Sequence, residues 1–257
     1  MFGLQFYGSS MNGGFSSHVI AKAEQAVPYG KADAAFAATA CCSGITTFSA
    51  IKKLGRIADH ERILFIGAGG LGLMALQLFK TLHPTHPGPV FADIDQARLD
   101  LTLKLGASGV INLKTDRKVL SEASKGMGRP PLNFYSPTSR ISIQEICWHL
   151  VDGGLLFCLM YSASNMGEGF TGVIDFVGSG NTVESGVSVL NRYGTLVVVG
   201  LLGGSSRIPV PILPLKGIQI LGNYLGSLEE FKVCSSSLVH QMPTRGATNK
   251  QTQNIGP

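Results

Sequence analysis

The run Arg62-Ile-Leu-Phe-Ile-Gly-Ala-Gly-Gly-Leu-Gly72 constrains this chain more than any other stretch. Ile63 to Ile66 is apolar and has the length of a buried strand. Gly67, Gly69 and Gly72 follow in a G-x-G-x-x-G pattern, with Gly70 and Leu71 between them. Leu71, Met74, Ala75, Leu78 and Phe79 then recur at helical spacings. In a strand–turn–helix unit each glycine has a task. Gly67 permits the tight turn, Gly69 leaves bare backbone for a pyrophosphate to approach, and Gly72 lets the helix pack closely on the sheet. The helix start then presents free N–H groups and a positive dipole end to phosphates.

A second apolar run, Pro89-Val-Phe-Ala-Asp93, ends in an acid. Asp93 lies about twenty residues past the last motif glycine, where the dinucleotide fingerprint places a carboxylate. A carboxylate there accepts hydrogen bonds from ribose hydroxyls and repels a 2′-phosphate, which favours NAD over NADP. The plainer alternative is a glycine-rich turn in an unrelated α/β domain. The following helix and the acid-ended strand count against it.

The βαβ rhythm extends outward from this unit. The expected strands are 62–67, 89–94, 109–113, 172–177, 195–199 and 218–221, with helices at 70–82, 95–105, 117–126 and 181–192 and another from about 227. Upstream, 13–21 reads as a turn entering an alternating strand, and 32–40 and 44–54 as two helices, the second ended by Gly55. Six strands with intervening helices imply an α/β fold with a doubly wound parallel sheet, the Rossmann NAD(P)-binding fold, whose ligand crevice lies at the strands' carboxyl ends. The rhythm stops over about 129–169, a Pro- and Ser-rich segment with a short helix expected at 141–150, and resumes at Thr171. After Val233 the sequence turns polar and reads as a disordered tail.

Composition narrows the function classes. Apolar residues make up 44% of 257, enough for a sizeable core. The net charge of +5 comes from 21 basic and 16 acidic residues spread thinly. The densest basic stretch, 114–140, lacks the interleaved aromatics of a single-strand groove, so no nucleic-acid partner is expected. Five cysteines (41, 42, 147, 158, 234) are irregularly spaced, which points to a reducing, cytoplasmic setting. Residues 1–10 show no signal-peptide pattern, and the apolar run 155–161 is too short to span a bilayer.

Several segments taken in order resemble the medium-chain dehydrogenase/reductase superfamily, its zinc-type alcohol dehydrogenases in particular. They are Gly13-Gly-Phe-Ser-Ser-His-Val, Cys42-Ser-Gly-Ile-Thr46, Gly67-Ala-Gly-Gly-Leu-Gly72, Val90-Phe-Ala-Asp-Ile-Asp95, Lys104-Leu-Gly-Ala107, Ile174-Asp-Phe-Val-Gly-Ser179 and Leu196-Val-Val-Val-Gly200. The resemblance covers about 13–127 and 170–232. It implies hydride transfer between an alcohol carbon and NAD, with a small alcohol or carbonyl substrate and a zinc ion polarising the alcohol oxygen. It implies that Cys42 descends from a zinc ligand and that Thr46 packs near the nicotinamide. It places Val177, Gly178, Gly200 and Leu201 in loops beside the cofactor. By residue type alone, Cys42 reads as a small apolar helix residue instead. His18 is given no role.

The chain also departs from that family pattern. A remnant of the N-terminal catalytic domain is expected over 1–30, with only its last strand at 13–21. The cofactor-binding domain then spans 31–232, interrupted by an insertion at about 129–169, and 233–257 forms the tail. No Cys or His-Glu pair precedes Cys41, so the zinc site is incomplete and no catalytic residue is assigned. The leading expectation is an NAD-dependent oxidoreductase of the alcohol dehydrogenase type. Two alternatives stand beside it: a catalytically inactive NAD-binding fragment or pseudoenzyme, and a zinc-free quinone-reductase-like enzyme, against which Asp93 argues. The resemblance also implies a homo-oligomer formed through the edge strand at about 218–224.

Overall fold

A computed structural model describes residues 12–29, 33–115 and 169–239. Six strands form one sheet: β1 (Ile63–Ile66), β2 (Val90–Asp93), β3 (Gly109–Asn112), β4 (Phe170–Asp175), β5 (Leu190–Val198) and β6 (Gln219–Gly222). Their order is β3-β2-β1-β4-β5-β6, and every pairing is parallel. All four residues of β1 are buried, as a central strand covered on both faces requires. Its neighbours are in register on each side, Phe65 opposite Phe91 of β2 and Ile174 of β4. The strand order reverses between β1 and β4, and the crevice outside their carboxyl ends is the switch point of a doubly wound sheet.

The helices are α1 (Ala34–Thr39), α2 (Ile45–Lys53), α3 (Gly70–Leu82), α4 (Gln96–Leu105), α5 (Gly180–Val189), α6 (Ile212–Lys216) and α7 (Leu228–Val239). Two separate cores show the double winding. On one face Phe48 and Ile51 of α2, Leu78 and Phe79 of α3, Leu99 of α4 and Cys234 of α7 join Phe65, Phe91 and Val197 of the sheet. Phe65 meets Phe79, Phe91 and Phe176 edge-on, at 5.4–5.7 Å between ring centres. On the other face Val187 and Val189 of α5 and Leu213 of α6 join Leu64, Val173 and Leu196. Local signals set the helix ends. Asp95 caps α4 by accepting from the amides of Ala97 and Arg98, and Gly106 closes it in the left-handed conformation at φ 101°. Ser179 and Thr182 form a capping box on α5.

The sequence pattern and the structure differ in five places. The expected strand at 13–21 does not form: residues 14–21 are exposed, and no described strand lies beside them to pair with. The two upstream helices are one continuous helical run, joined by a π-helical turn over Ala40–Gly44. That run is long and apolar enough to cross a bilayer, but its apolar face is packed into the core through Ala40, Phe48, Ala50 and Ile51. β4 starts and stops two residues before the expected 172–177, because the Asp175 carboxylate captures the next amides and turns the chain. α5 stops at Val189 and β5 begins at Leu190, not Thr195. A register shift absorbs the difference between Phe170↔Leu190 and Gly172↔Thr195, with Tyr193 at φ 61°. Finally, α7 continues to Val239, so 233–239 is helix and not tail. Cys234, fully buried, carries the packed face past Val233. The expected helices at 117–126 and 141–150, nearly all of the 129–169 insertion, and 240–257 lie outside the described residues.

Candidate functional site

The β1–α3 turn is built from bare backbone. Gly67 sits at φ 100°, where a side chain would be strained, and its amide donates to the Ala92 carbonyl at 2.8 Å. A Cβ on Gly72 would lie 2.1 Å from the Gly67 carbonyl oxygen and 3.3 Å from the Phe91 ring. Gly72 is thus required first by the turn itself and then by helix–sheet packing. Gly69 and Gly70 are the opposite case: a Cβ on either would meet no atom within 4 Å. The first hydrogen bond closing α3 runs from Leu73 N–H to the Gly69 carbonyl, at 2.9 Å. The amides of Gly70, Leu71 and Gly72 precede it and face the crevice end of the helix.

Asp93 closes the turn from the β2 side. It is 8% exposed. Its Oδ2 accepts from the Ala68 amide at 2.6 Å and its Oδ1 from the Asp95 amide at 2.9 Å. One carboxylate therefore fixes both the glycine turn and the start of the β2–α4 loop. Each oxygen keeps a lone pair for a further donor.

Across the switch point, the loops after β4 and β5 are zipped together. Leu202 N–H donates to the Val177 carbonyl at 3.1 Å, and Gly203 N–H to that of Gly178 at 2.9 Å. The approach is close enough that a Cβ on Gly178 would lie 1.8 Å from the Gly200 carbonyl oxygen. Val177 reaches back to the glycine turn, its Cγ2 being 3.0 Å from where a Cβ on Gly67 would stand. Gly67, Val177, Gly178 and Gly200 thus form one continuous rim. Leu201 projects from it, 78% exposed.

The organiser of that rim is Asp175, which the sequence pattern did not single out. It is fully buried. Its Oδ1 accepts from the amides of Val177 and Gly178 at 2.9 and 3.0 Å, and its Oδ2 from the Thr182 hydroxyl at 2.7 Å. Its own carbonyl accepts from the amides of Val199 and Gly200. The one local signal was an acid inside the apolar run Gly172 to Val177.

Thr46 lies in the first turn of α2, buried, and its carbonyl accepts from Asn223 Nδ2 at 3.0 Å. Asn223 directly follows β6, so Thr46 is tied to the carboxyl end of the sheet. Cys42 stands apart from these contacts. It is an exposed free thiol on the π-helical turn, not the buried helix residue its type suggested. Burial, together with the neighbouring Cys42, pushes the Cys41 thiol up. Burial pushes the Cys234 thiol up to about 12, which makes it inert as a nucleophile. Among the described residues no three His, Cys, Asp or Glu side chains come together to hold a metal ion. Cys42 alone does not make a zinc site.

The family model for zinc-binding dehydrogenases matches residues 70–240. Curated relatives include the NAD-dependent alcohol dehydrogenases of Sulfurisphaera tokodaii and Saccharolobus solfataricus. The first is 26% identical over 196 residues, which is 76% of this chain and 44% of the relative. The second is 25% identical over 236 residues, 88% of this chain and 54% of the relative. The chain thus spans about half the length of the curated relatives it matches. Among solved structures, L-idonate 5-dehydrogenase from Escherichia coli superposes with a TM-score of 0.63 at 22% identity, covering 93% of this chain and 56% of that one. The alcohol dehydrogenase of Aeropyrum pernix gives 0.57 at 23% identity, covering 79% and 46%. These two share the fold. With its glycine turn at the switch point of a six-stranded parallel sheet, and with most of its length matched by the family model, the chain belongs to the zinc-binding dehydrogenase family.

Proposed function

We propose that this chain binds NAD across the β1/β4 switch point and serves an oxidoreductase of the alcohol dehydrogenase type. The observation that carries this reading is the open glycine turn closed by a carboxylate: unoccupied space at Gly69 and Gly70, free amides at Gly70, Leu71 and Gly72, and Asp93 bonded to Ala68. In this reading the amides of Gly70 to Gly72 hold the pyrophosphate. Asp93 orients the adenosine ribose through its remaining lone pairs and disfavours a 2′-phosphate, which sets NAD above NADP. The rim of Val177, Gly178, Gly200 and Leu201, with Thr46, flanks the nicotinamide half and excludes water from it. Bound NAD supplies the hydride acceptor for an alcohol carbon, or in reverse the donor to a carbonyl.

A small alcohol or carbonyl compound is the substrate class in this reading. The described residues do not complete a zinc site, so no step is assigned to zinc. The reading extends to two further points. A homo-oligomer through the outer edge of β6 is supported by its place at the end of the described sheet, with Ile220 and Tyr224 exposed beside it. A cytoplasmic setting is supported by the irregular cysteine spacing.

Thermal unfolding with each cofactor tests the reading. NAD at a hundred times its dissociation constant stabilises the fold by about 2.7 kcal/mol. In a chain of this size the midpoint then rises by roughly 5–10 °C. A rise with NAD and little with NADP is expected. A cooperative transition that neither cofactor moves would overturn it.

A further inference from the structure

Asn223 makes a contact that no local pattern foreshadows. It is 5% exposed, immediately after β6. Its backbone amide donates to the Val198 carbonyl of β5 at 2.8 Å, which fixes its own position on the sheet. Its side-chain Nδ2 donates to the Thr46 carbonyl at 3.0 Å, across 177 positions of sequence. The other end of the amide, Oδ1, is buried without a hydrogen-bond partner among the described residues. Exchanging the amide's two ends would set Oδ1 against the Thr46 carbonyl, acceptor against acceptor, so the orientation follows from the partner.

A buried acceptor left without a partner is costly and uncommon. A small or apolar residue would fill this place without that cost. What Asn223 provides is a single well-directed bond to the first turn of α2. Thr46 is the residue of that turn placed beside the nicotinamide in the proposed NAD site, and its hydroxyl has no hydrogen bond to any described residue. The π-helical turn just before it is a departure from regular helix, a feature found often where a helix serves a site. The tether therefore determines where this irregular helix start sits relative to the carboxyl ends of β5 and β6.

We infer that Asn223 is a positioning residue for the nicotinamide half of the crevice. Through its side-chain Nδ2 bond to the Thr46 carbonyl it holds Thr46 in place against the cofactor. This rests on the proposed NAD site. The adenosine half, built on Gly69 to Gly72 and Asp93, does not depend on this bond.

The experiment compares NAD with ADP-ribose, which lacks the nicotinamide, by calorimetry on the full chain. Asn223→Asp keeps the shape but replaces the donor with an acceptor. It is expected to weaken NAD by about tenfold, the equivalent of 1.4 kcal/mol, while ADP-ribose affinity stays within about twofold. Thr46→Val, which keeps the carbonyl and removes the hydroxyl, is expected to show the same selective loss. If Asn223→Asp fails to fold, Asn223→Ala, which removes the donor without adding an acceptor, serves as the readout, with the same selective loss of NAD expected. The double variant is expected to lose no more than the larger single loss, since both act through one element. Equal weakening of both ligands, or no change in either, would overturn the inference while leaving the NAD site intact. Wild-type protein that binds neither ligand would overturn the NAD site and the inference with it.

Discussion

The two halves of the crevice are built by opposite means. The β1–α3 turn is local: Gly67 to Gly72 are six consecutive residues, and their shape follows from the positive φ of Gly67 and the missing side chain of Gly72. The rim across the switch point is assembled at a distance. Asp175 and Gly178, at the end of β4, meet Gly200 in the loop after β5, and Thr46 is tied to the same end of the sheet through Asn223, 177 positions away. The first half leaves open space where a ligand would lie. The second is packed so closely that backbone meets backbone. Substitution at a glycine should accordingly mean different things on the two sides, binding on the first and folding on the second.

The sharpest way to break that contrast is at Gly178. An alanine there would need both a strained φ, now 68°, and room for a Cβ that would lie 1.8 Å from the Gly200 carbonyl oxygen. Gly178→Ala is expected to destabilise the fold by about 4 kcal/mol or more, measured by denaturant unfolding. A loss under about 1 kcal/mol would show that the two loops can part freely.

Next in size is Asp175→Asn. The carboxylate accepts from three donors while fully buried, and the amide replaces one acceptor oxygen with a competing donor. Hydrogen bonds to charged groups are worth more than neutral ones, so a loss of about 2–3 kcal/mol is expected in the same assay.

Gly69→Ala sharpens the comparison from the other side. Gly69 has φ −81°, a conformation alanine adopts, and open space around it. Stability is expected to hold or rise by about 0.5 kcal/mol, because alanine restricts the unfolded chain. NAD affinity is expected to fall by about tenfold, a methyl group now standing where the pyrophosphate approaches. Loss of stability with unchanged NAD affinity would reverse the assignment.

The same contrast explains what the sequence could and could not disclose. Signals carried by neighbouring residues were legible: the apolar run Ile63 to Ile66, the glycine spacing and the place of Asp93 at a strand end. The strand expected at 13–21 failed because alternation says only that a segment suits a sheet edge, not that an edge is beside it. β5 was read too short because the bulge at Tyr193 hides its first pairing with β4. Asp175 looked like one polar residue in a strand, since its three donors lie after the strand has turned. Asn223 carried no local sign, because its partner sits on a helix in a distant part of the chain.

The smallest expected effect is on acid stability. Burial, reinforced by nearby His86 and opposed by Asp59, holds His83 below its ordinary 6.5. As pH falls through 6.5 the unfolded chain takes up this proton before the folded one does, so stability declines from there toward the lower folded value. Above 6.5 the group contributes no pH dependence. Melting temperatures between pH 7.5 and 5 should show a shallower decline in His83→Gln than in the parent. Identical slopes would remove His83 from the acid response.

The most direct test of the NAD site is residue-resolved: titrate NAD into the isotope-labelled chain and follow its backbone amides by NMR. The amides of Gly69 to Gly72 and of Ala68, held by Asp93, should shift together and saturate with one dissociation constant, with those of Val177, Gly178 and Gly200 following at the same constant. Saturable shifts elsewhere with the glycine turn unmoved, or no shifts at all, would contradict an NAD site at the switch point.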